Sequence, residues 1–118
     1  MRIYIAGALS SKENTQRDPS KIVTDYIQNV HKMCLAASAI RKKGHFPYVP
    51  GLDFLLGAIA GNWGEEDYRG IGMSFLGVCD AILVVSHSWG VEREIETAIT
   101  LGLAIYENVE DIPDVKPA

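Results

Sequence analysis

Short apolar runs alternate with longer segments of helical periodicity along this chain. The run at residues 2–6 (RIYIA) predicts a buried first strand, and the run at residues 80–85 (DAILVV) predicts a central one. Residues 103–106 (LAIY) predict a short final strand. Residues 45–50 predict a further strand at an edge of the sheet, because Pro47 cannot donate a hydrogen bond to a neighbour.

The first helix is predicted after a polar stretch from Ser10 to Lys21, which we interpret as a loop and a candidate lid. Thr24 or Asp25 can cap this helix, and residues 41–44 (RKKG) have the chemistry of a helix end. One face of the helix is apolar and carries Ile27, Val30, Cys34 and Ala37.

One helix is predicted before the central strand in the sequence and another after it. Residues 65–67 (EED) open one that is predicted to run through Cys79, and the other is predicted over residues 91–102. Residues 51–64 have no polar face. They predict either a core or subunit-contact helix, or the wall of a pocket for an apolar ring.

Alternating strands and helices predict an α/β fold. We expect an open parallel sheet of four or five strands flanked by helices, in the three-layer manner of flavodoxin-like and Rossmann-like proteins. The chain has 118 residues, of which 47% are hydrophobic and 22% charged, and this fits one domain over residues 1–118.

Charge and composition exclude several function classes. A net charge of -4 with no basic face argues against a polymeric nucleic acid as partner. Cys34 and Cys79 lack a CxxC spacing, so we expect reduced thiols and neither a metal site nor a cofactor. The sequence contains no apolar stretch of about 18 residues that could span a membrane. We therefore expect a cytoplasmic protein without a membrane partner.

Candidate chemistry follows two strands. Gly7, Ala8, Leu9 and Ser10 follow the first strand, and Ser86, His87, Ser88, Trp89 and Gly90 follow the central one. Ligands of open parallel sheets bind at the carboxyl ends of the strands, and a helix N-terminus attracts anions. We therefore expect these two turns to form one site for a phosphorylated small molecule, with His87 a candidate contact and Glu94 one turn into the helix.

Established phosphate and nucleophile motifs do not match these turns. The sequence contains neither G-x-G-x-x-G after the first strand nor a G-x-x-x-x-G-K-[ST] loop. The segment around Ser88 approaches a nucleophile elbow, but no histidine follows His87 to complete a triad in the required order. Serine hydrolysis is therefore disfavoured.

Two glutamates remain as catalytic candidates on the last helix. On a helical wheel, Glu92 and Glu94 flank the apolar stripe on opposite sides, whereas Glu96 faces mostly solvent. A glutamate near a helix N-terminus also gains about 0.3 to 1 kcal/mol from the dipole alone, which is an ordinary structural role. Helical geometry therefore leaves both residues open.

The order and spacing of three motifs resemble a known family. These motifs are residues 4–10 (YIAGALS), residues 79–81 (CDA) and the S-x-G-V-x-x-E segment at 88–94 that precedes Ala98 and Gly102. Together they resemble the nucleoside 2-deoxyribosyltransferase superfamily over nearly the whole chain. The similarity is greatest to the small branch that includes 2'-deoxynucleoside 5'-phosphate N-hydrolases.

The resemblance implies residue roles. It assigns the nucleophile to Glu94 and its orientation to Tyr4, and it places a 5'-phosphate against Ser88, Gly90 and the turn of residues 7–10. The chemistry would be cleavage or transfer of the N-glycosidic bond of a (deoxy)nucleoside or nucleoside 5'-monophosphate. A homodimer or homotetramer is the usual assembly of the family.

One family feature is missing from the sequence. The resemblance implies an aspartate, about two helical turns before the central strand, that protonates the departing base, but Gly72 or a near neighbour occupies this position. Asp67 and Asp53 are the possible substitutes, although Asp67 also suits a helix cap. The alternative function is a nucleotide-binding or regulatory module without turnover.

Overall fold

A computed structural model describes residues 1–9 and 18–115, and these form a parallel sheet of four strands in the order β2-β1-β3-β4. The strands are β1 (Arg2–Ala6), β2 (Phe46–Tyr48), β3 (Ala81–Val84) and β4 (Ala104–Tyr106). The helices are α1 (Pro19–Lys42), α2 (Gly51–Ala60), α3 (Glu65–Leu76) and α4 (Trp89–Leu101), followed by a 3-10 turn at Val109–Asp111. The α/β architecture predicted from the sequence is confirmed.

The register brings the two candidate turns together. Strands β1 and β3 are direct neighbours, with Ala6 opposite Val84. The segments that follow the two strands therefore leave the sheet side by side at the same edge. The edge position predicted for Pro47 is also correct, because β2 pairs only with β1 in the described sheet. The adjacency on which the candidate site depends is therefore present.

The core lies in two layers, one on each face of the sheet. Alternate residues of β1 point to opposite faces, so Ile3 and Ile5 pack against α1, whereas Tyr4 and Ala6 pack against α3 and α4. The fully buried side chains include Met33 and Ile40 of α1, Leu76 of α3, Leu83 of β3 and Val91 of α4. This division makes three layers and places Tyr4 on the α3–α4 side.

Helix α1 begins earlier than the sequence analysis predicted. Its N-cap is Asp18, whose carboxylate accepts a hydrogen bond from the Ser20 amide at 3.0 Å, and Pro19 occupies the first helical position. Proline suits that position because it has no amide hydrogen to satisfy. The prediction of a cap at Thr24 or Asp25 was therefore wrong, and the end of the predicted loop is helical.

Helix α3 ends at Leu76, three residues before the predicted Cys79. The amides of Val78 and Cys79 bond to the carbonyls of Phe75 and Leu76, which makes a tight turn instead of another α-helical turn. Asp80 then accepts the Arg2 amide at 2.7 Å, at the opposite edge of the sheet from the candidate turns. Because α3 ends early, the turn after it connects directly to the start of β3.

Helix α2 forms within the segment that has no polar face, and one side of this helix lies at the surface. Its outer side, which we call the α2 apolar face, consists of Leu52, Leu55, Leu56 and Ile59, and these side chains are 44% to 76% exposed. Gly57 faces inward against Tyr68, where a Cβ atom would clash with the tyrosine hydroxyl. Of the roles left open for this segment, a core helix is therefore wrong within this chain, and a subunit contact stays a prediction.

Candidate active site

A cavity of about 470 Å³ opens where β1 and β3 end. Its wall is built by the turn after β1, the first turns of α2 and α4, and one face of α3. The lining residues are Tyr4, Gly7, Leu9, Pro50, Gly51, Glu65, Tyr68, Arg69, Gly72, Met73, Ser88, Trp89, Gly90, Val91, Arg93 and Glu94. The position agrees with the rule that open parallel sheets bind ligands at their carboxyl edge.

The turn after β3 becomes the first turn of α4. Ser88 is the N-cap, and its hydroxyl accepts a hydrogen bond from the Val91 amide at 3.2 Å. Both Ser88 and Gly90 lie on the cavity wall. This end of the helix therefore directs its positive dipole end toward the cavity.

A hydrogen bond joins the two turns behind the cavity wall. The Ala8 amide donates to the Ser86 hydroxyl at 2.8 Å. Gly7 lets this turn pack against α1, because a Cβ atom there would lie 2.9 Å from the Met33 sulfur. Ser86 and Ala8 therefore position the turns, whereas Gly7 and Leu9 face the cavity. Ser10, which the sequence analysis placed in the same turn, lies outside the described residues.

Glu94 projects from α4 into the cavity and meets Tyr4 of β1. The Tyr4 side chain is buried, with only 2% of the residue exposed, and its hydroxyl donates a hydrogen bond to the Glu94 carboxylate. Burial raises the pKa of Glu94 above its ordinary value, and the Tyr4 hydrogen bond opposes this rise by lowering the pKa. Burial, followed by the negative charge of Glu94, raises the pKa of Tyr4, so the phenol stays protonated and remains a donor.

The tertiary structure distinguishes the two glutamates that helical geometry left open. Glu92 is exposed and bonds to His87 Nδ1 at 2.5 Å on the outer side of α4. His87 was a candidate ligand contact, but it is not among the residues that line the cavity. Glu94 is partly buried and lies on the wall beside Tyr4. The arrangement brings Glu94, and not Glu92, to the site.

Asp67 does not reach this cavity. Its carboxylate accepts the Gly64 amide at 2.7 Å and so caps the start of α3. This capping contact keeps the side chain at the helix end, and the sequence-based suggestion that Asp67 replaces the missing acid does not fit its position. Gly72 does line the cavity, where it faces the Tyr4 hydroxyl.

Several wall residues were not identified from the sequence. Tyr68, Arg69 and Met73 share one face of α3 with Gly72, a spacing of three and four residues that could have been noticed. At the rim, the Arg93 guanidinium lies 4.9 Å from the centre of the Trp89 ring. Arg69 pairs with Glu65 at 2.9 Å. The cavity therefore has the partly buried Glu94 carboxylate inside, with Arg93 and the Arg69–Glu65 pair also on its wall.

The described part of the chain contains no group of three or more histidine, cysteine, aspartate or glutamate side chains arranged to hold a metal ion. Within residues 1–9 and 18–115, no helix has the length and apolarity needed to cross a membrane.

Comparison with known proteins identifies the fold. Neither a family model nor a curated protein matches the sequence. The structure is similar to a solved 2-desoxiribosyltransferase from Leishmania mexicana, with a TM-score of 0.52 and 20% sequence identity. The match covers 88% of this chain and 61% of that one, so this chain spans about 61% of the length of its structural neighbour. The two proteins share an α/β fold.

Proposed function

We propose that this protein cleaves or transfers the N-glycosidic bond of a (deoxy)nucleoside or nucleoside 5'-monophosphate, with Glu94 as nucleophile. The observation that carries the proposal is a partly buried carboxylate, held by the Tyr4 hydroxyl, in a cavity at the carboxyl edge of the sheet. Its fold is shared with a deoxyribosyltransferase, and the motifs that contain Tyr4 and Glu94 resemble that superfamily. The proposed reaction unites these three findings.

The cavity suits a nucleotide in size and in charge. A volume of about 470 Å³ is within the range of small-molecule sites. The first turn of α4 and the Arg93 side chain at the rim favour a 5'-phosphate, whereas Tyr68, Met73 and Trp89 provide apolar surface for a base. This arrangement favours a nucleoside monophosphate over an uncharged nucleoside.

The proposed chemistry has two displacements at the anomeric carbon. A Glu94 oxygen attacks C1', and the C1'–N bond breaks with its electron pair leaving on the base. Water or a second base then attacks C1' and releases Glu94 as a carboxylate. With water, the sugar gains the hydroxyl and the second proton of that water goes to the departed base, so the protein is a hydrolase. With a base, it is a transferase, and both routes retain the configuration at C1'.

Tyr4 orients the nucleophile in this mechanism. Its phenol donates to Glu94 in the resting enzyme and so restricts the orientation of the carboxylate that attacks the sugar. No step requires a cofactor, because the carboxylate provides the electron pair and the base accepts it.

A nucleotide-binding module without turnover is the second candidate. Gly72 favours it, because this wall position of α3 has no acid to protonate a departing base. Asp67 caps the helix, and Glu65 is held by Arg69. A base that leaves slowly without protonation would make the same cavity a nucleotide sensor.

We further propose that the protein forms a homodimer through the α2 apolar face. The four side chains of this face are about half exposed or more, and none is charged. A second copy can present the same uncharged stripe around a two-fold axis, which buries both faces without leaving a charge unpaired. Two such dimers could form a homotetramer.

The direct test is to incubate the protein with a panel of nucleosides and nucleoside 5'-monophosphates and to measure free base by chromatography. We expect release with the wild type and a loss of about a hundredfold or more in Glu94→Gln, which keeps the shape but not the nucleophile. Glu96→Gln is the matched control, because Glu96 is exposed on the same helix. Equal turnover by wild type and Glu94→Gln would reject the mechanism, and nucleotide binding without base release would favour the sensor.

A further inference from the structure

Tyr4 has a second tyrosine beside it on the sheet. Tyr4 and Tyr48 are register partners on the parallel strands β1 and β2, so their side chains project from the same face. Their ring centroids are 5.5 Å apart and the rings are tilted by 48°. Any displacement of the Tyr48 ring would therefore be transmitted directly to Tyr4.

Tyr48 is held by two other elements. Its hydroxyl donates a hydrogen bond to the carboxylate of Asp53, in the first turn of α2. Its ring stacks on Phe75 of α3, with centroids 4.6 Å apart and an angle of 18°. Strand β2, helix α2 and helix α3 thus fix Tyr48 from three directions.

The other side of Tyr4 is limited by α3. A Cβ atom at Gly72 would lie 3.1 Å from the Tyr4 hydroxyl, so the phenol fits against bare helix backbone. Tyr4 is consequently confined between Tyr48 and Gly72, and its hydroxyl is directed at Glu94. Confinement of this kind reduces the number of rotamers and improves the precision of a hydrogen bond.

We propose that Tyr48 and Asp53 are positioning residues for Glu94, which hold the Tyr4 ring so that its hydroxyl stays on the nucleophile. This inference rests on the proposed function. Neither Tyr48 nor Asp53 lines the cavity, so both act through Tyr4 and not through contact with substrate. The unbroken sequence of contacts runs from Asp53 to Tyr48, then to Tyr4 and finally to Glu94.

Other charged groups line the cavity near Glu94, so a variant that tests the positioning role should not change any of them. Arg69 and Glu65 lie across the cavity on α3, and Arg93 precedes Glu94 on α4. Asp53 also acts electrostatically on Tyr4, so its removal can affect the Tyr4 hydroxyl directly as well as through Tyr48. The uncharged exchange Tyr48→Phe is therefore the cleanest variant, because it keeps the ring and removes one hydroxyl.

The first experiment separates kcat from KM. We expect Tyr48→Phe to lower kcat about tenfold, because one hydrogen bond to a charged group is lost, and to leave KM within about twofold. Asp53→Ala should have a similar effect, whereas Asp53→Asn keeps an acceptor oxygen and should recover most of the rate. Tyr106→Phe, on β4 and in the opposite core layer, is the matched control. A change in KM alone would overturn the positioning role.

The second experiment does not need turnover. The pKa of Glu94 is followed by the carboxyl carbon chemical shift in wild type, Tyr4→Phe, Tyr48→Phe and Tyr106→Phe. Since the Tyr4 hydrogen bond lowers the pKa of Glu94, Tyr4→Phe should raise it, and Tyr48→Phe should raise it by a smaller amount. A pKa that is unchanged in Tyr48→Phe would overturn the inference even in an active enzyme. A rise in an inactive protein would support positioning and reject the catalytic proposal.

Discussion

The Tyr4 hydroxyl lies 3.1 Å from the place where a Cβ atom of Gly72 would be. Helix α3 therefore approaches β1 too closely for any side chain at position 72 unless the phenol moves. Because that phenol bonds to Glu94, the size of residue 72 is linked to the geometry of the proposed nucleophile. Adding a single methyl group at position 72, by the substitution Gly72→Ala, tests this relationship.

Gly72→Ala should displace the Tyr4 hydroxyl by a few tenths of an ångström and lower turnover about tenfold or more, since small misplacements of reacting groups are costly. Steady-state kinetics on the best substrate measures this loss. Gly70→Ala is the matched control, because it is on the same helix and a Cβ atom there meets nothing within 4 Å. The control should gain roughly 0.5–1 kcal/mol of stability from the helix preference of alanine. Equal activity and stability of the two variants would contradict the prediction.

Glu94→Gln should stabilise the protein at neutral and alkaline pH. Burial raises the pKa of Glu94 in the folded state above the ordinary value of 4.5, so the folded state holds the proton more tightly than the unfolded state. Stability conferred by this protonated carboxyl is present below pH 4.5 and is lost as the pH rises through the folded pKa. The amide variant has no such loss.

Denaturant unfolding of Glu94→Gln and wild type at several pH values between 4 and 8 measures this effect, and the stability difference should grow with pH and then level off. Glu96→Gln should show a difference that does not vary in the same way, because Glu96 is exposed. A Glu94→Gln protein that is less stable than wild type at alkaline pH would show that burial does not dominate at this carboxylate.

Ser86→Ala should destabilise the carboxyl edge of the sheet. The variant removes the acceptor of the Ala8 amide and leaves this partly buried donor unpaired, at a cost of about 1–3 kcal/mol. Thermal unfolding measures the loss, and Ser74→Ala, at an exposed position of α3, is the control. If Ser86→Ala matches that control, the bond between the two turns has no structural importance.

Charges placed on the α2 apolar face should dissociate the proposed dimer. Leu56→Lys with Ile59→Lys would bury four like charges at a two-fold contact, so light scattering should give the monomer mass of 12.9 kDa. Ile99→Lys, at an exposed apolar position of α4, should keep the wild-type mass. A wild-type protein that is already monomeric at micromolar concentration would reject the dimer.

Much of the fold could be predicted from local patterns. The apolar runs at β1 and β3 and the edge position of Pro47 correspond to features of the structure, whereas Gly102, predicted inside the last helix, is its C-cap. The first boundary of α1 was missed because Asp18 and Pro19 were assigned to a polar loop, although their capping chemistry is local. The sequence left open whether α2 lies in the core or at a subunit contact, because an apolar composition does not show whether the chain itself or a partner covers the helix.

The sequence by itself determined the element order, the parallel sheet and the strand-to-helix turn that ends at Glu94. These follow from periodicity, capping and turn chemistry, which act over a few residues. Only the tertiary structure decided that Glu94 faces Tyr4 while Glu92 faces His87, and that Tyr48 and Gly72 confine the phenol. The contacts of Tyr4 with Glu94, Tyr48 and Gly72 join residues that are far apart in the chain, so they depend on strand order, register and helix packing. Local sequence patterns do not encode these distances.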